Sequence, residues 1–338
     1  NSRLQQEFTK IYAICYKNLV VRMDYMKAAQ IERYGGSEVV EVNLKAAKPL
    51  ISDGHIMIEA HAAGVNPVDW KIREGYLQQM APLKFPATLG GDFSGKIIEV
   101  GTNVSGLKKG EDVYGTAIVL AGGSGAFAEF IAANAGSIAL KPKGTSYTEA
   151  AALPLVGVSA IQALMEHMRL SKGQKILIHG GAGGIGSIAI QVAKHLGAHV
   201  AATAATDDIK FVKDLGADEA IDYKKQRFEE LIRDYDAVFD TVGGETYAGS
   251  FKVLKKGGII VSMLEQPSQE LMKQHGVTAI SQFTQINSER LKKLAELVEK
   301  GAVKVHVDKA FPLEKAAEAL DYLRNSHPKG KIVIKIRG

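Results

Sequence analysis

Apolar and polar positions change rhythm once along the chain, near Ser146. Before that point, short apolar runs at 56–60, 95–100, 112–115 and 126–132 are cut by Gly and Pro, following an alternation that opens at Met26. This spacing predicts a compact, barrel-like β unit. After it, 148–153 and 159–168 read as helices, and strand and helix patterns then alternate. Apolar runs at 175–178, 199–203, 220–222, 237–240, 258–263 and 277–280 predict six strands of a doubly wound parallel sheet in an α/β domain. Helices over 288–300 and 313–326 and a strand over 332–336 exceed what that sheet needs, so the C-terminus is expected to return to the first domain. The expected division is 26–150 with 285–338, and 151–284.

Composition supports two packed cores: 46% of the 338 residues are hydrophobic and 23% charged, the balance of a globular α/β protein. The net charge of +5 is scattered singly and in pairs without a basic stripe, so nucleic-acid binding is unsupported. The single cysteine, Cys15, excludes an intrachain disulfide and a cysteine-based zinc cluster. The apolar stretch 11–21 is interrupted by Lys17 and Asn18 and has Glu7 ahead of it. It reads neither as a membrane span nor as a secretory signal, and a cytoplasmic protein is expected. Residues 1–25 read as an N-terminal extension, a poorly ordered tail or, alternatively, an added edge strand or partner-binding segment.

The strongest motif is Gly181-Ala182-Gly183-Gly184-Ile185-Gly186, preceded by Ile176-Leu177-Ile178 and followed by a helical stripe of Ile185, Ile188, Ala189, Val192 and Leu196. Glycines after a strand permit a tight turn and close approach of the backbone. The helix that follows offers amide N–H groups to a pyrophosphate. A Rossmann dinucleotide site is therefore expected. About 20 residues on, where an NAD site usually places an acid for the ribose hydroxyls, stands Thr203. This favours NADP(H) over NAD(H), with Lys210 and Tyr223 as candidates for the adenosine side. Asp207 and Asp208 argue the other way, and Lys210 reads equally well as a solvated helix residue. Thr241 and Val242 after the fourth strand, and Met263 and Leu264 at the end of the fifth, are expected backbone contacts to the cofactor at the carboxyl edge.

The glycine loop with Gly173-Gln174, Leu177, Gln191 and Lys194 resembles the quinone oxidoreductase and zeta-crystallin branch of the medium-chain dehydrogenase/reductase superfamily. So do the blocks Ala63-Gly64-Val65-Asn66-Pro67-Val68-Asp69-Trp70-Lys71 and Leu89-Gly90-Gly91-Asp92-Phe93-Ser94-Gly95. The resemblance runs from Met26 to about Lys335. It implies a GroES-like barrel packed on a Rossmann domain, an active site in the cleft, and a homodimer joined through the Rossmann sheets. Asn66, Gly91 and about Leu155 stand where alcohol dehydrogenases of the superfamily hold catalytic zinc, and none is a suitable ligand. The nine histidines show no metal spacing, so no metal is expected.

Without a Lewis acid, the expected reaction is hydride delivery from NADPH to an electronically activated acceptor, a quinone or an α,β-unsaturated carbonyl. The resemblance assigns Asn66 to the nicotinamide or to the acceptor carbonyl; an Asn-Pro pair is otherwise an ordinary turn. Asp69 would fix Asn66 or its loop, or serve as an exposed helix cap. Tyr76 would line the pocket or donate a proton, or simply pack. Ser159 would approach the nicotinamide, or cap a helix. Two alternatives stay open: a 2-enoyl thioester reductase, and an NADPH-binding protein without turnover that contacts RNA or protein. An open planar slot beside Asn66, a long channel or a closed cleft would separate the three.

Overall fold

The computed structural model describes residues 25–337, and the expectations for 1–24 lie outside the described residues. The first half supplies β1 (Tyr25–Ile31), β2 (Glu41–Ala47), β3 (His55–Val65), β4 (Ala87–Thr88), β5 (Asp92–Val100), β6 (Asp112–Thr116), β7 (Phe130–Asn134) and β8 (Ile138–Leu140). β1, β2 and β4 form a small antiparallel sheet. β3 is the spine of a larger one, pairing antiparallel with β5 and β7, while β5 continues through β6 to β8. Ile56, Ile58, Phe93, Phe127 and Ile131 fill the space between them and are fully buried. The stretch predicted as a strand at 126–132 divides in two. Ala128 bridges to Ala28, and the ladder to β3 begins only at Phe130.

The second half supplies β9 (Lys175–Ile178), β10 (His199–Ala204), β11 (Glu219–Asp222), β12 (Tyr235–Asp240), β13 (Leu254–Ser262) and β14 (Thr278–Ser281). They form one sheet in the order β11-β10-β9-β12-β13-β14, parallel throughout. Helices cover both faces, which is why Ile176, Leu177 and Ile178 are apolar without alternation and wholly buried. The strand order reverses between β9 and β12, and the crevice at that switch point is where an open α/β sheet binds its ligand.

β15 (Val307–Pro312) and β16 (Lys331–Lys335) rejoin the first domain, β16 pairing antiparallel with β3 through Ile332 and Val65. The helix Ser288–Glu299, placed by the sequence with the first domain, stands between the two: Leu291, Leu294 and Leu297 are buried among apolar residues of both, Tyr114 Oη donates to the Leu291 carbonyl at 2.5 Å, and Ser288 Oγ donates to the Ile138 carbonyl at 2.7 Å. Its apolar stripe meets the helix Pro154–Ile161, where Leu294 occupies the space that a Cβ on Gly157 would need. That second helix also starts five residues earlier than the predicted 159 and continues as a π-helical turn, Gln162–His167.

Candidate functional site

The chain leaves β9 at Ile178 and passes through Gly180, Gly181, Ala182 and Gly183 into the helix Gly184–His195. Each glycine has its own reason. Gly180 has φ +67°, in the left-handed region. A Cβ on Gly186 would lie 2.2 Å from the Gly180 carbonyl oxygen, so only glycine lets the helix approach the turn. A Cβ on Gly183 would meet only that same oxygen, at 3.4 Å, so its outer side is open. The first N–H groups of the helix lack intrahelical acceptors, and Gly184, Ile185 and Gly186 line a cavity of about 820 Å³. Open backbone, free amides and a helix dipole at one place fit a dinucleotide pyrophosphate.

The cavity runs from this loop to the first domain, where Val65, Asn66 and Pro67 form its wall, and the C-terminal residues Pro328, Gly330 and Lys331 cross between the two. Asn66 caps the helix Pro67–Arg73. Its backbone N–H donates to Asp69 Oδ2 at 2.7 Å, one half of a capping box. Its side-chain Nδ2 donates to Asp92 Oδ2 at 2.9 Å, and the same oxygen accepts the Leu155 N–H at 3.0 Å. On the other side, Lys331 Nζ donates to Asn66 Oδ1 and to the Val65 carbonyl, both at 2.5 Å. Burial pushes the Asp69 carboxyl up to about 7, against the Asn66 N–H, and its Oδ1 has no hydrogen-bond partner. Burial likewise raises Asp92, to about 6, with Lys331 opposing. The lysine itself is lowered by burial, while Asp92 and Asp69 act to raise it.

At the other end of the cavity, His179 lies fully buried beneath the glycine loop. Ser250 Oγ spends its proton on the Thr246 carbonyl and so accepts from His179 Nε2 at 3.0 Å. His179 Nδ1 then accepts from Thr203 Oγ1 at 3.1 Å. Burial holds this imidazole down to about 4, with Asp240 and Glu229 opposing, so the ring is neutral. Around the end of β10, Ala204, Ala205, Asp208, Tyr223 and Arg227 line the cavity. Lys329 Nζ lies 3.1 Å from Asp208 Oδ1 and donates to the Asp207 carbonyl, so a cation offsets the acidic pair.

Among the described residues, no three His, Cys, Asp or Glu side chains gather as a metal site. The family model described as alcohol dehydrogenase GroES-like domain matches residues 52–143, and that described as zinc-binding dehydrogenase matches 215–334. The 2-methylene-furan-3-one reductase of Solanum lycopersicum is 39% identical over 91% of this chain and 79% of its own length. The NADPH-dependent alkenal/one oxidoreductase of Arabidopsis thaliana is 38% identical over the same shares. The chain belongs to the quinone oxidoreductase branch of the medium-chain dehydrogenase/reductase superfamily. Its fold superposes on the quinone oxidoreductase from Coxiella burnetii with a TM-score of 0.84 at 33% identity, covering 92% of this chain and 99% of that one.

As a member of that branch, the protein is an oxidoreductase with a nicotinamide dinucleotide cofactor. Of the residues singled out in the sequence, Asn66, Ala182, Gly183, Gly184, Ile185, Gly186, Thr203, Tyr223, Thr241 and Val242 line one cavity. Gly181 lies beneath the loop, where a Cβ would press on Ala202 and Val212. Asp69 is not the exposed cap that was one of its two readings; it is fully buried behind Asn66.

Five of the candidates do not line this cavity. Lys210 points outward, in an i,i+4 ion pair with Asp214. Tyr76 stands edge-on to Trp70, 65% exposed and outside the cavity wall. Ser159 turns its hydroxyl back to the Leu155 carbonyl and to Thr284, inside the domain. Met263 packs its side chain against the core, Leu264 is half exposed, and neither lines the cavity. Lys331, Asp92, Lys329 and Arg227 were missed. A lysine heading the apolar run Ile332-Val333-Ile334 was the one sign that Lys331 is buried.

Proposed function

We propose that the protein is an NADPH-dependent, zinc-independent reductase of α,β-unsaturated carbonyls and quinones. The observation that carries this is one continuous cavity joining the glycine loop to a locked carboxamide at Asn66. When bound, NADPH supplies the hydride. Asn66, itself buried and with one Nδ2–H committed to Asp92, has the second to offer a carbonyl oxygen as negative charge builds there. At the end of β10, Thr203 stands in place of a ribose-binding acid, Lys329 offsets Asp208, and Arg227 lines the cavity, which supports NADP(H) over NAD(H). The names of the Solanum and Arabidopsis relatives, an enone reductase and an alkenal/one oxidoreductase, support the acceptor class. The resemblance and the exposed outer edge of β14 support a homodimer joined through the second-domain sheets.

The test is the oxidation of NADPH, and separately NADH, by chelator-treated protein with ortho- and para-quinones, enones and an enoyl thioester. Turnover of enones or quinones that survives chelation and prefers NADPH is the expected result. Turnover confined to the thioester would transfer the assignment to acyl thioester reduction. NADPH binding without turnover of any acceptor would reduce it to a binding protein.

A further inference from the structure

Lys331 is the first residue of β16, 4% exposed, in a strand whose next three residues are all apolar and wholly buried. A lysine in such a place must be held by hydrogen bonds and countercharge. Its ammonium group donates to the Val65 carbonyl and to Asn66 Oδ1, and Asp92 holds the opposite end of the same carboxamide. The amide therefore lies between a cation at its oxygen and a carboxylate at its nitrogen. Turning it over would set N–H against ammonium and oxygen against carboxylate, losing two charge-assisted hydrogen bonds at once. The arrangement admits one orientation.

The same short segment also grips the cofactor loop. Gly330 N–H donates to the Ala182 carbonyl at 2.8 Å and forms a parallel bridge with Gly183, while Lys331 N–H donates to the His306 carbonyl. The Lys331 side chain runs past Gly184, its Cδ 3.0 Å from where a Cβ on that glycine would be. Residues 330 and 331 thus fix the loop at one end of the cavity and Asn66 at the other.

We infer that Lys331 is a positioning residue for the reduction, locking the Asn66 carboxamide so that its free N–H faces the acceptor. This rests on the proposed function. Asp92 is its counterpart on the nitrogen side, so the two charges act on the reaction through Asn66 and not by touching the acceptor.

A double-mutant cycle of Lys331→Met and Asn66→Ala tests this, reading kcat with an enone and, separately, NADPH affinity by fluorescence. Lys331→Met is expected to lower kcat about tenfold to a hundredfold, as misplacement of a reacting group does. In the Asn66→Ala background the same change should add less than about twofold, because its effect passes through the missing amide. Equal losses in both backgrounds would overturn the inference, as would weaker NADPH binding with kcat unchanged, which would make Lys331 a phosphate ligand. Should Lys331→Met not fold, Lys331→Arg, which keeps the charge and displaces the donor, takes its place in the cycle. Should the wild-type protein hold NADPH but reduce no acceptor, the functional reading fails by itself. The crystal structure of the variant then decides the positioning: an Asn66 amide turned from Asp92 sustains it, and an unmoved amide sinks it.

Discussion

Two buried titratable residues are shifted in opposite directions, and each leaves its own mark on stability. Asp69 is a carboxyl with one oxygen unpartnered, raised by burial from an ordinary 3.8 to about 7. Between those values the folded protein binds a proton that the unfolded chain has released, so stability through this group is full below about pH 4 and falls as pH rises to 7. His179, held down from 6.5 to about 4, works the other way: the unfolded chain takes up the proton first, and stability is lost as pH falls through that window. Each effect is ~3–4 kcal/mol at most. Urea midpoints measured from pH 4 to 7.5 should show a weaker decline toward neutral pH in Asp69→Asn than in the wild type, and a weaker decline toward acid in His179→Asn. Curves parallel to the wild type would mean that neither group titrates as its burial implies. Tyr76 provides a contrast at the surface. Tyr76→Phe should keep enone turnover within about twofold, since Tyr76 is exposed and does not line the cavity. A tenfold loss would restore it as a proton donor.

At the level of elements, the glycine loop was legible because glycine spacing, an apolar strand before it and a 3.6-residue stripe after it all agree. Its glycines nevertheless differ in kind, which only coordinates reveal. Gly183 is in extended backbone, φ −75° and ψ 176°, with open space beside it. Gly183→Val should therefore melt within a few degrees of the wild type while NADPH binding weakens by about a hundredfold or more, the branched side chain filling the pyrophosphate's place. At Gly186 a Cβ would strike the Gly180 carbonyl at 2.2 Å, so Gly186→Ala should lose about 1–3 kcal/mol of stability, read by thermal melting. If Gly183→Val binds NADPH normally, the cofactor lies elsewhere. What stayed hidden were contacts between segments distant in sequence. Lys331 and Asn66 are brought together by β16 pairing with β3, and local pattern cannot report that pairing. The helix Ser288–Glu299 was visible as an amphipathic element, but its partner depended on the small residue Gly157, which no periodicity announces. Lys210 and Tyr76 carried suitable chemistry at plausible spacing, and side-chain direction placed both outside the cavity.

At the scale of the whole molecule, the sheet of the second domain ends in β14, whose outer edge has no neighbouring strand among the described residues. Just beyond it, Phe283 is 80% exposed, yet its segment is firmly held. Gln162 donates to the Phe283 carbonyl at 3.2 Å and accepts the Gln285 N–H at 3.0 Å, and Gln282 Nε2 donates to the Ser159 carbonyl. An aromatic ring offered from a rigid loop loses little conformational freedom on association and has a large apolar area to bury. In the proposed homodimer, Phe283 is therefore expected to be covered by the second subunit. Fully burying a phenylalanine contributes about 1.5–3 kcal/mol, so Phe283→Asp should weaken dimerisation by at least about tenfold to a hundredfold. Sedimentation across a dilution series should find the wild type as a dimer at micromolar concentration and the variant shifted toward monomer. If the wild type is dimeric and Phe283→Asp sediments identically, the subunits meet through another face, leaving the edge of β14 outside the interface.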